Sequence, residues 1–214
     1  MGWKKNSIFK YYISCGIILL FTASISASVI ENSIKDNKKT FEEIALQIWD
    51  YAELGYLENK SSNLLANELE KNGFTIQKGL AGIPTSFVAE YNNGGPIIGI
   101  LGEYDALPGL AQTASPFKEV ALNETNGGHA CGHHLFGAAS AWAAVVIKEW
   151  IEKNNIKGTI RFYGTPAEEG GSGKVYLVRE GLFDDVDIVM HWHPDDTNSA
   201  NSRTSNSNKS GKFT

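Results

Sequence analysis

Apolar residues recur at helical spacing between Phe41 and Trp49, which predicts a helix with one buried face. Thr40 and Glu43 have the spacing of a capping box, in which each side chain binds a free backbone N–H of the first helical turn. We therefore expect this helix to begin at Thr40.

Two further helices follow from the same kind of pattern. The first begins near Ser61 or Ser62 and ends at Asn72 and Gly73, a pair that commonly terminates helices. The second spans residues 135–153, a stretch rich in alanine with tryptophan and valine side chains available for burial. We expect this second helix to be the longest in the chain.

Four short apolar stretches are bounded by glycine, asparagine or proline and predict β-strands. They span residues 85–91, 96–101, 159–163 and 186–192, and the last two have the composition of buried strands. Because strands alternate with helices along the chain, we expect an α/β fold with a mostly parallel sheet and flanking helices.

The N-terminal segment differs in composition from the rest of the chain. Three lysines in the first ten residues precede an apolar run at 13–21 and small residues at 23–27, which is the pattern of a secretory signal peptide. The apolar run is shorter than the about 20 residues that a membrane span needs. We predict a signal peptide at residues 1–27 and export to the periplasm or the medium, with an uncleaved membrane anchor as the alternative. A polar spacer is expected at residues 28–40.

The formal net charge of −5 argues against a nucleic-acid partner, because binding to phosphates requires a basic surface. Once the signal peptide is removed, Cys131 is the only cysteine left. An intramolecular disulfide is then impossible, although exported proteins commonly contain disulfides. Such a cysteine is either a small buried apolar residue or a functional thiol.

The sequence around Cys131 favours the functional interpretation. His129, Cys131, His133 and His134 lie within six residues, directly before the helix predicted at 135–153. Thiolate and imidazole are ligands of zinc-like metals, and the single glycine between Cys131 and His133 lets both converge on one ion. Placement of these histidines by packing alone is the less favoured interpretation.

Two more polar clusters follow predicted strands. Glu168 and Glu169 come after the strand at 159–163, where one could bind metal while the other accepts a proton from water. His191 and His193 end the next strand. Side chains alternate along a strand, so both histidines face the same way and spacing does not choose between them.

All three clusters lie where strands end or loops begin, which is where α/β sheets bind ligands. One thiolate, at least two imidazoles and two carboxylates could hold two metal ions that polarise a carbonyl and activate water. Other enzyme classes fit less well. The glycine-rich stretch at 170–174 lacks the spacing of a phosphate-binding loop, and the chain lacks the Pro-Cys-x-x-Cys motif of nucleobase deaminases.

These motifs resemble one known family. HACGHH (129–134), TPAEEGGSGK (165–174) and VDIVMHWHP (186–194) are similar to segments of the M20 metallopeptidase-type amidohydrolases. IWDYAELGY, GIPTSFVAEY and LGEYDALPGL look most like the aminobenzoyl-glutamate utilisation protein B group within that family. The resemblance runs from about Phe41 to the last residue.

The resemblance implies two divalent metal ions, zinc or manganese, and hydrolysis of an amide bond to an amino acid by metal-activated water. The substrate would be aminobenzoyl-glutamate or a related N-acyl amino acid or dipeptide. Cys131, His133 and Glu169 match metal ligands of the family, and Glu168 matches its general base. The fourth ligand falls on His193, the eighth residue of VDIVMHWHP.

The resemblance also implies features beyond this chain, because the family is longer, forms homodimers through an inserted lid domain and takes a further histidine ligand from its C-terminal part. We expect residues 41–197 to be the N-terminal part of the catalytic domain, and residues 198–214 to be a linker and the start of the lid. Glu103 and Asp105 stand where other branches carry a His-x-Asp metal motif, and are expected to contact the ligands or the substrate. The alternative function is a non-catalytic, exported metal- or ligand-binding remnant of a truncated enzyme, and this chain alone is expected to be inactive.

Overall fold

The computed structural model describes residues 8–197 and 199, with side chains described from residue 27 onward. Its helices are α1 (Ile8–Tyr51), α2 (Asn59–Lys71), α3 (His133–Asn154), the single irregular turn α4 (Glu168–Gly171) and α5 (Gly173–Arg179). Its strands are β1 (Thr75–Lys78), β2 (Phe87–Asn92), β3 (Ile97–Gly102), β4 (Leu107–Pro108), β5 (Gly127–Gly128), β6 (Thr159–Gly164) and β7 (Ile188–Met190).

The central sheet has five strands in the order β1-β2-β6-β3-β7. β3 pairs in parallel with β6 and β7, whereas β2 pairs antiparallel with β1 and β6. Four strands therefore run in one direction, and β2 is reversed inside the sheet. The predicted α/β fold with flanking helices is confirmed, but the sheet is mixed, because the reversed strand makes two of its four pairings antiparallel.

Both faces of the sheet are covered by apolar side chains. Helices α1, α2 and α3 pack on one face, where the largest core cluster includes Phe41, Ile48, Leu65, Leu69, Phe87, Val145, Ile160 and Phe162. A smaller cluster on the other face includes Val88, Leu101, Tyr163, Leu182 and Phe183. Because β3 and β6 are covered on both sides, they form a rigid support for the polar residues that follow them.

The prediction that a helix begins at Thr40 is wrong, because α1 continues without a break through residues 28–40. This segment contains neither proline nor glycine, so nothing in it stops a helix. Glu43, which the capping box would have used, instead lies 3.7 Å from Lys39 one turn earlier, an i, i+4 pair that supports a helix modestly. The predicted polar spacer is thus helical. Within the described part of the chain, no helix combines the length and apolar character needed to cross a membrane.

The last strand is shorter and more exposed than expected. β7 spans only Ile188–Met190, and its three side chains are 46 to 55% exposed. It lies at the edge of the sheet and pairs only with β3. The prediction of a buried strand over 186–192 is therefore wrong, because an edge strand is buried only where another element packs over it.

The other predicted elements are confirmed within a few residues, namely α2, α3, β2, β3 and β6. The sequence patterns did not predict β1 and α5. These elements have four and seven residues, which is too few to show a clear repeat of apolar positions. The predicted linker and lid segment at 198–214 lies outside the described residues, apart from residue 199.

Candidate metal centre

Polar residues that follow three of the strands lie at one edge of the sheet. β3, β6 and β7 are parallel, so the segments that follow them, 103–105, 165–169 and 191–193, meet at the same edge. The segment 129–134 reaches this edge as the approach to α3. The structure therefore brings together the three clusters that the sequence keeps about 20 to 35 residues apart.

His133 lies at the start of α3 and is completely buried. Its Nδ1 atom lies 2.9 Å from Oδ1 of Asp105 and 3.1 Å from the backbone oxygen of Asp105. A backbone carbonyl can only accept a hydrogen bond, so Nδ1 carries a proton. The Asp105 contacts thus leave Nε2 as the ring atom that can bind a ligand.

Nε2 of His133 is surrounded by carboxylates. Oε2 of Glu103 lies 2.8 Å away, and oxygen atoms of Glu168 and Glu169 each lie 3.9 Å away. The Glu103 contact is an ion pair, and among the described residues Nε2 has no hydrogen-bond partner. Burial lowers the pKa of His133, but Asp105 and Glu103 outweigh burial and raise that pKa to about 10. A nitrogen in this position requires either a second proton or a metal cation.

Cys131 and His193 approach each other across the site, with Sγ 3.3 Å from Nε2 of His193. Gly132 makes this approach possible, because it has a φ of +80° and a Cβ there would lie 3.0 Å from the ring of Pro194. Burial and nearby carboxylates, Glu169 foremost, raise the pKa of Cys131 to about 12. The thiol is therefore protonated at neutral pH unless a cation replaces its proton.

Glu168 and Glu169 are adjacent in sequence but differ in surroundings. The side chain of Glu168 is 45% exposed, whereas that of Glu169 is 16% exposed. Burial raises the pKa of Glu169, and Cys131 and His133 offset part of this effect. Oε1 of Glu169 is buried and has no hydrogen-bond partner among the residues that the structure describes. The two neighbours thus differ in exposure, with Glu169 inside the site and Glu168 at its surface.

The donor atoms fit divalent metal ions. Two groups in the described part of the chain have donor atoms within 4.8 Å of one another and share His133, one with Cys131 and His193 and the other with Glu103 and Glu168. Nε2 of His133 and Oε1 of Glu169, both buried and without hydrogen-bond partners within the described ranges, lie 3.9 Å apart. Such a combination of thiol, imidazole and carboxylate donors suits zinc-like cations.

The two histidines that follow β7 have different neighbours. His193 lies beside Cys131, whereas Nε2 of His191 lies 3.9 Å from Oε1 of Glu103. The ring of His191 packs edge-on against Phe136, with 4.9 Å between ring centroids. The structure therefore places His193 next to the thiol, and the assignment of His193 as the ligand stays a prediction.

Lys174 of α5 belongs to the site and was not predicted from the sequence. Its Nζ atom forms an ion pair with Oε1 of Glu103. Burial alone would raise the pKa of Glu103, but His133, His191 and Lys174 hold it well below its usual range. The available signal was that Lys174 is the cation nearest in sequence to Glu169.

His129 and His134 lie behind the centre and belong to neither group of donor atoms. Nε2 of His129 lies 3.0 Å from the backbone oxygen of Ile48 in α1, so it must be the donor. Both imidazole rings pack against Trp49. Burial, with the charge of a neighbouring histidine, lowers the pKa of each to about 4. These side chains attach the 129–134 segment to α1.

Comparison with known families decides what kind of protein carries this centre. Residues 99–205 match peptidase family M20/M25/M40. The chain belongs to this family. The M20 match begins within β3 and includes α3, β6 and β7, so it contains all three clusters of the site.

Curated relatives of this M20 chain include two proteins named as hydrolases. It is 45% identical over 166 residues to a p-aminobenzoyl-glutamate hydrolase subunit of Escherichia coli strain K12, and the match covers 78% of this chain and 34% of that protein. It is 32% identical over 162 residues to the hippurate hydrolase of Campylobacter jejuni, and the match covers 75% of this chain and 40% of that protein. The M20 chain thus spans less than half the length of these relatives.

Solved structures show the same fold. A dinuclear metal-binding peptidase of the M20 family from Bacillus subtilis has a TM-score of 0.62 and 28% identity, and the match covers 75% of this chain and 44% of that one. An aminobenzoyl-glutamate utilization protein from Klebsiella pneumoniae has a TM-score of 0.55 and 16% identity, over 76% of this chain and 45% of that one. The first supports the interpretation of the site, and the second supports the fold alone.

Proposed function

We propose that the protein is a metal-dependent amidohydrolase that cleaves the amide bond between an acyl group and an amino acid. The observation that carries this proposal is Nε2 of His133, a buried nitrogen that faces three carboxylates and has no hydrogen-bond partner in the described part of the chain. Its proton on Nδ1 is held by Asp105, so Nε2 is left for a cation. Membership of the M20 family supports hydrolysis as the chemistry.

Cys131, His133, Glu169 and His193 would hold the metal, as two divalent ions, zinc or manganese. Support comes from the similar Bacillus subtilis structure, which is that of a dinuclear metal-binding peptidase, and from the donor group formed by Cys131, His133 and His193. Glu169 is included because its Oε1 atom lies 3.9 Å from Nε2 of His133. When bound, the ions would polarise the amide carbonyl and lower the pKa of a water molecule.

Glu168 is the proposed general base. Its exposed carboxylate, with Oε2 3.9 Å from Nε2 of His133, is close enough to the donor atoms to take a proton from the attacking water. The water oxygen forms a bond to the carbonyl carbon, the carbon–nitrogen bond breaks, and the same proton passes from Glu168 to the leaving amine. The products are a carboxylic acid and a free amino acid, so atoms and charges balance.

Asp105 and Lys174 support this chemistry through their contacts with His133 and Glu103. Asp105 fixes the tautomer of His133, and hydrogen bonds of this kind orient metal ligands and raise their basicity. Lys174 forms an ion pair with Glu103, so the negative charge of that carboxylate is already balanced before a metal cation binds.

The proposed substrate is p-aminobenzoyl-glutamate or a related N-acyl amino acid or dipeptide. The name of the Escherichia coli relative describes hydrolysis of p-aminobenzoyl-glutamate. We further propose an exported protein that acts as a homodimer, without a nucleic-acid partner and without membrane contact beyond its N-terminal segment. The basic head and apolar run of that segment support export.

The test is hydrolysis of p-aminobenzoyl-glutamate and other N-acyl amino acids by protein expressed from the complete reading frame. Chelation should abolish turnover, and addition of zinc or manganese should restore it. Metal binding without hydrolysis of any tested amide would instead favour the non-catalytic binding remnant. Absence of both would refute the proposal.

A further inference from the structure

Ala167, directly before the two glutamates, has an unusual backbone conformation. Its φ of 56° and ψ of 43° lie in the left-handed region, where residues with a Cβ atom are disfavoured. The residue is fully buried, so it cannot relax toward solvent. A strained conformation of this kind persists only when the surrounding structure holds it.

Glu58 holds Ala167 from a distance of 109 residues in sequence. Its Oε1 atom accepts the backbone N–H of Ala167 at 2.7 Å, and its Oε2 atom accepts the hydroxyl of Thr85 at 2.9 Å. The carboxylate is fully buried, and these two partners are neutral groups rather than cations. Burying a carboxylate without a cation is costly, so this side chain is unusual for a purely structural role.

The side chain of Glu58 is not needed for the helix beside it. Glu58 occupies the N-cap position of α2, yet its side chain makes no capping hydrogen bond. Glu53 caps the helix instead, since its carboxylate accepts the backbone N–H groups of Lys60 and Ser61. The carboxylate of Glu58 is therefore free to serve the turn at Ala167.

The same connector between α1 and α2 contacts this turn at two more points. Gly55 packs so closely that a Cβ there would lie 3.0 Å from Cα of Ala167. The hydroxyl of Tyr56 donates to the backbone oxygen of Gly171 at 2.6 Å. The connector thus contacts the turn both before and after the two glutamates.

Glu168 lies between two backbone amides that are bound by carboxylates. On one side Glu58 accepts the N–H of Ala167, and on the other side Asp105 accepts the N–H of Glu169 at 2.8 Å. With the backbone held at both neighbours, the Cα–Cβ bonds of both glutamates have fixed directions, which limits where their carboxylates can reach.

We propose that Glu58 is a positioning residue, which acts through Ala167 to aim the carboxylates of Glu168 and Glu169 at the metal centre. This inference rests on the proposed function. It adds a buried carboxylate from the α1–α2 connector to the set of residues on which metal affinity and turnover depend.

The test compares Glu58→Ala with Glu58→Gln in protein expressed from the complete reading frame. Glu58→Ala should raise the dissociation constant for Zn²⁺, measured by titration calorimetry, by about 10- to 100-fold, because outer-shell contacts have effects of that size. It should also lower kcat toward p-aminobenzoyl-glutamate. Glu58→Gln should retain most of the Zn²⁺ affinity and most of kcat, because its amide oxygen still accepts the N–H of Ala167.

The matched control is Glu53→Ala, which removes a buried carboxylate from the same connector. The carboxylate of Glu53 binds Lys60 and Ser61 at the start of α2, so its loss should lower thermal stability but leave Zn²⁺ affinity unchanged. If Glu58→Ala does not fold, Glu58→Leu fills the space without a buried charge and should show the same loss of affinity.

Three results would overturn the inference. Folded Glu58→Ala or Glu58→Leu with the Zn²⁺ affinity and kcat of Glu53→Ala would show that Glu58 does not position the glutamates. If Glu58→Ala and Glu58→Leu both fail to fold while Glu58→Gln and Glu53→Ala fold, then Glu58 is required for folding and is not a positioning residue. A wild-type protein that binds neither Zn²⁺ nor Mn²⁺ would refute the proposed function as well, whereas loss confined to the Glu58 variants would not.

Discussion

Asp105 accepts the Nδ1–H of His133 at 2.9 Å. This contact decides which ring nitrogen faces the metal centre, because only the nitrogen without a proton can bind a cation. Asp105→Asn keeps the shape but places an amide that can also donate next to Nδ1. We expect the Zn²⁺ dissociation constant to rise by about 10- to 100-fold. Titration calorimetry measures it, with Asp195→Asn, an exposed acid on the loop after His193, as control. An unchanged affinity would mean that the tautomer is held by the backbone oxygen alone.

His191 and His193 provide the second prediction. Because His193 lies 3.3 Å from the thiol of Cys131 while His191 lies near Glu103, His193→Ala should reduce the bound metal and His191→Ala should retain it. Elemental analysis of both purified variants gives the answer. Loss of metal in His191→Ala with retention in His193→Ala would show that the wrong histidine was assigned.

Metal binding at Cys131 should release a proton. Burial and Glu169 raise the pKa of this thiol to about 12, so it is protonated near neutral pH, whereas a ligand thiol must be deprotonated. Affinity should therefore rise with pH over the neutral range, and the thiol should contribute about a tenfold gain per pH unit. Calorimetry in buffers of different ionisation enthalpy counts the protons, and Cys131→Ala should release about one fewer than wild type. Equal proton release would exclude Cys131 as a ligand.

The N-terminal segment gives a prediction about processing. Its basic head, apolar run and small residues predict cleavage near Ala27 on export. α1 extends through this region as a helix, and signal peptides and helices are compatible. N-terminal sequencing of protein from the native cell should begin near Ser28. A chain that still begins at Met1 would instead indicate an uncleaved segment.

Much of the fold could be predicted, because the hydrophobic period is clear wherever an element is long and has one buried face. Phe87, Ile160 and Phe162 lie in strands whose apolar runs are bounded by turn residues. The start of α1 was missed, because polar residues such as Lys39 and Glu43 can extend a helix as well as precede one. The exposure of Met190 was missed because an apolar strand carries no sign of what will cover it.

The site was predictable as far as its residue types are specific. A cysteine and histidine separated by one glycine, Cys131 and His133, indicate metal binding through residue type and spacing alone. Lys174 and Glu58 carry no such signature, since each is a common residue whose partner lies far away in sequence, 71 and 109 residues respectively. Only the fold brings them to Glu103 and Ala167.

The unlike roles proposed for Glu168 and Glu169 test the central claim most directly. Glu168 is exposed and is the proposed base, so Glu168→Gln should keep its metal and lose turnover by about 10²- to 10⁴-fold. Glu169 has a buried oxygen without a hydrogen-bond partner in the part of the chain that the structure describes, so Glu169→Gln should lose metal and recover part of its activity when metal is added in excess.

The deciding measurement is kcat toward p-aminobenzoyl-glutamate together with metal content, for both variants expressed from the complete reading frame. The account predicts a metal-loaded, inactive Glu168→Gln and a metal-depleted, rescuable Glu169→Gln. A metal-depleted Glu168→Gln with a metal-loaded, inactive Glu169→Gln would show that Glu168 is the ligand and Glu169 the base. Near-normal kcat in both variants would contradict the account, because the pair would then be a solvated surface feature rather than the catalytic centre of a metal-dependent amidohydrolase.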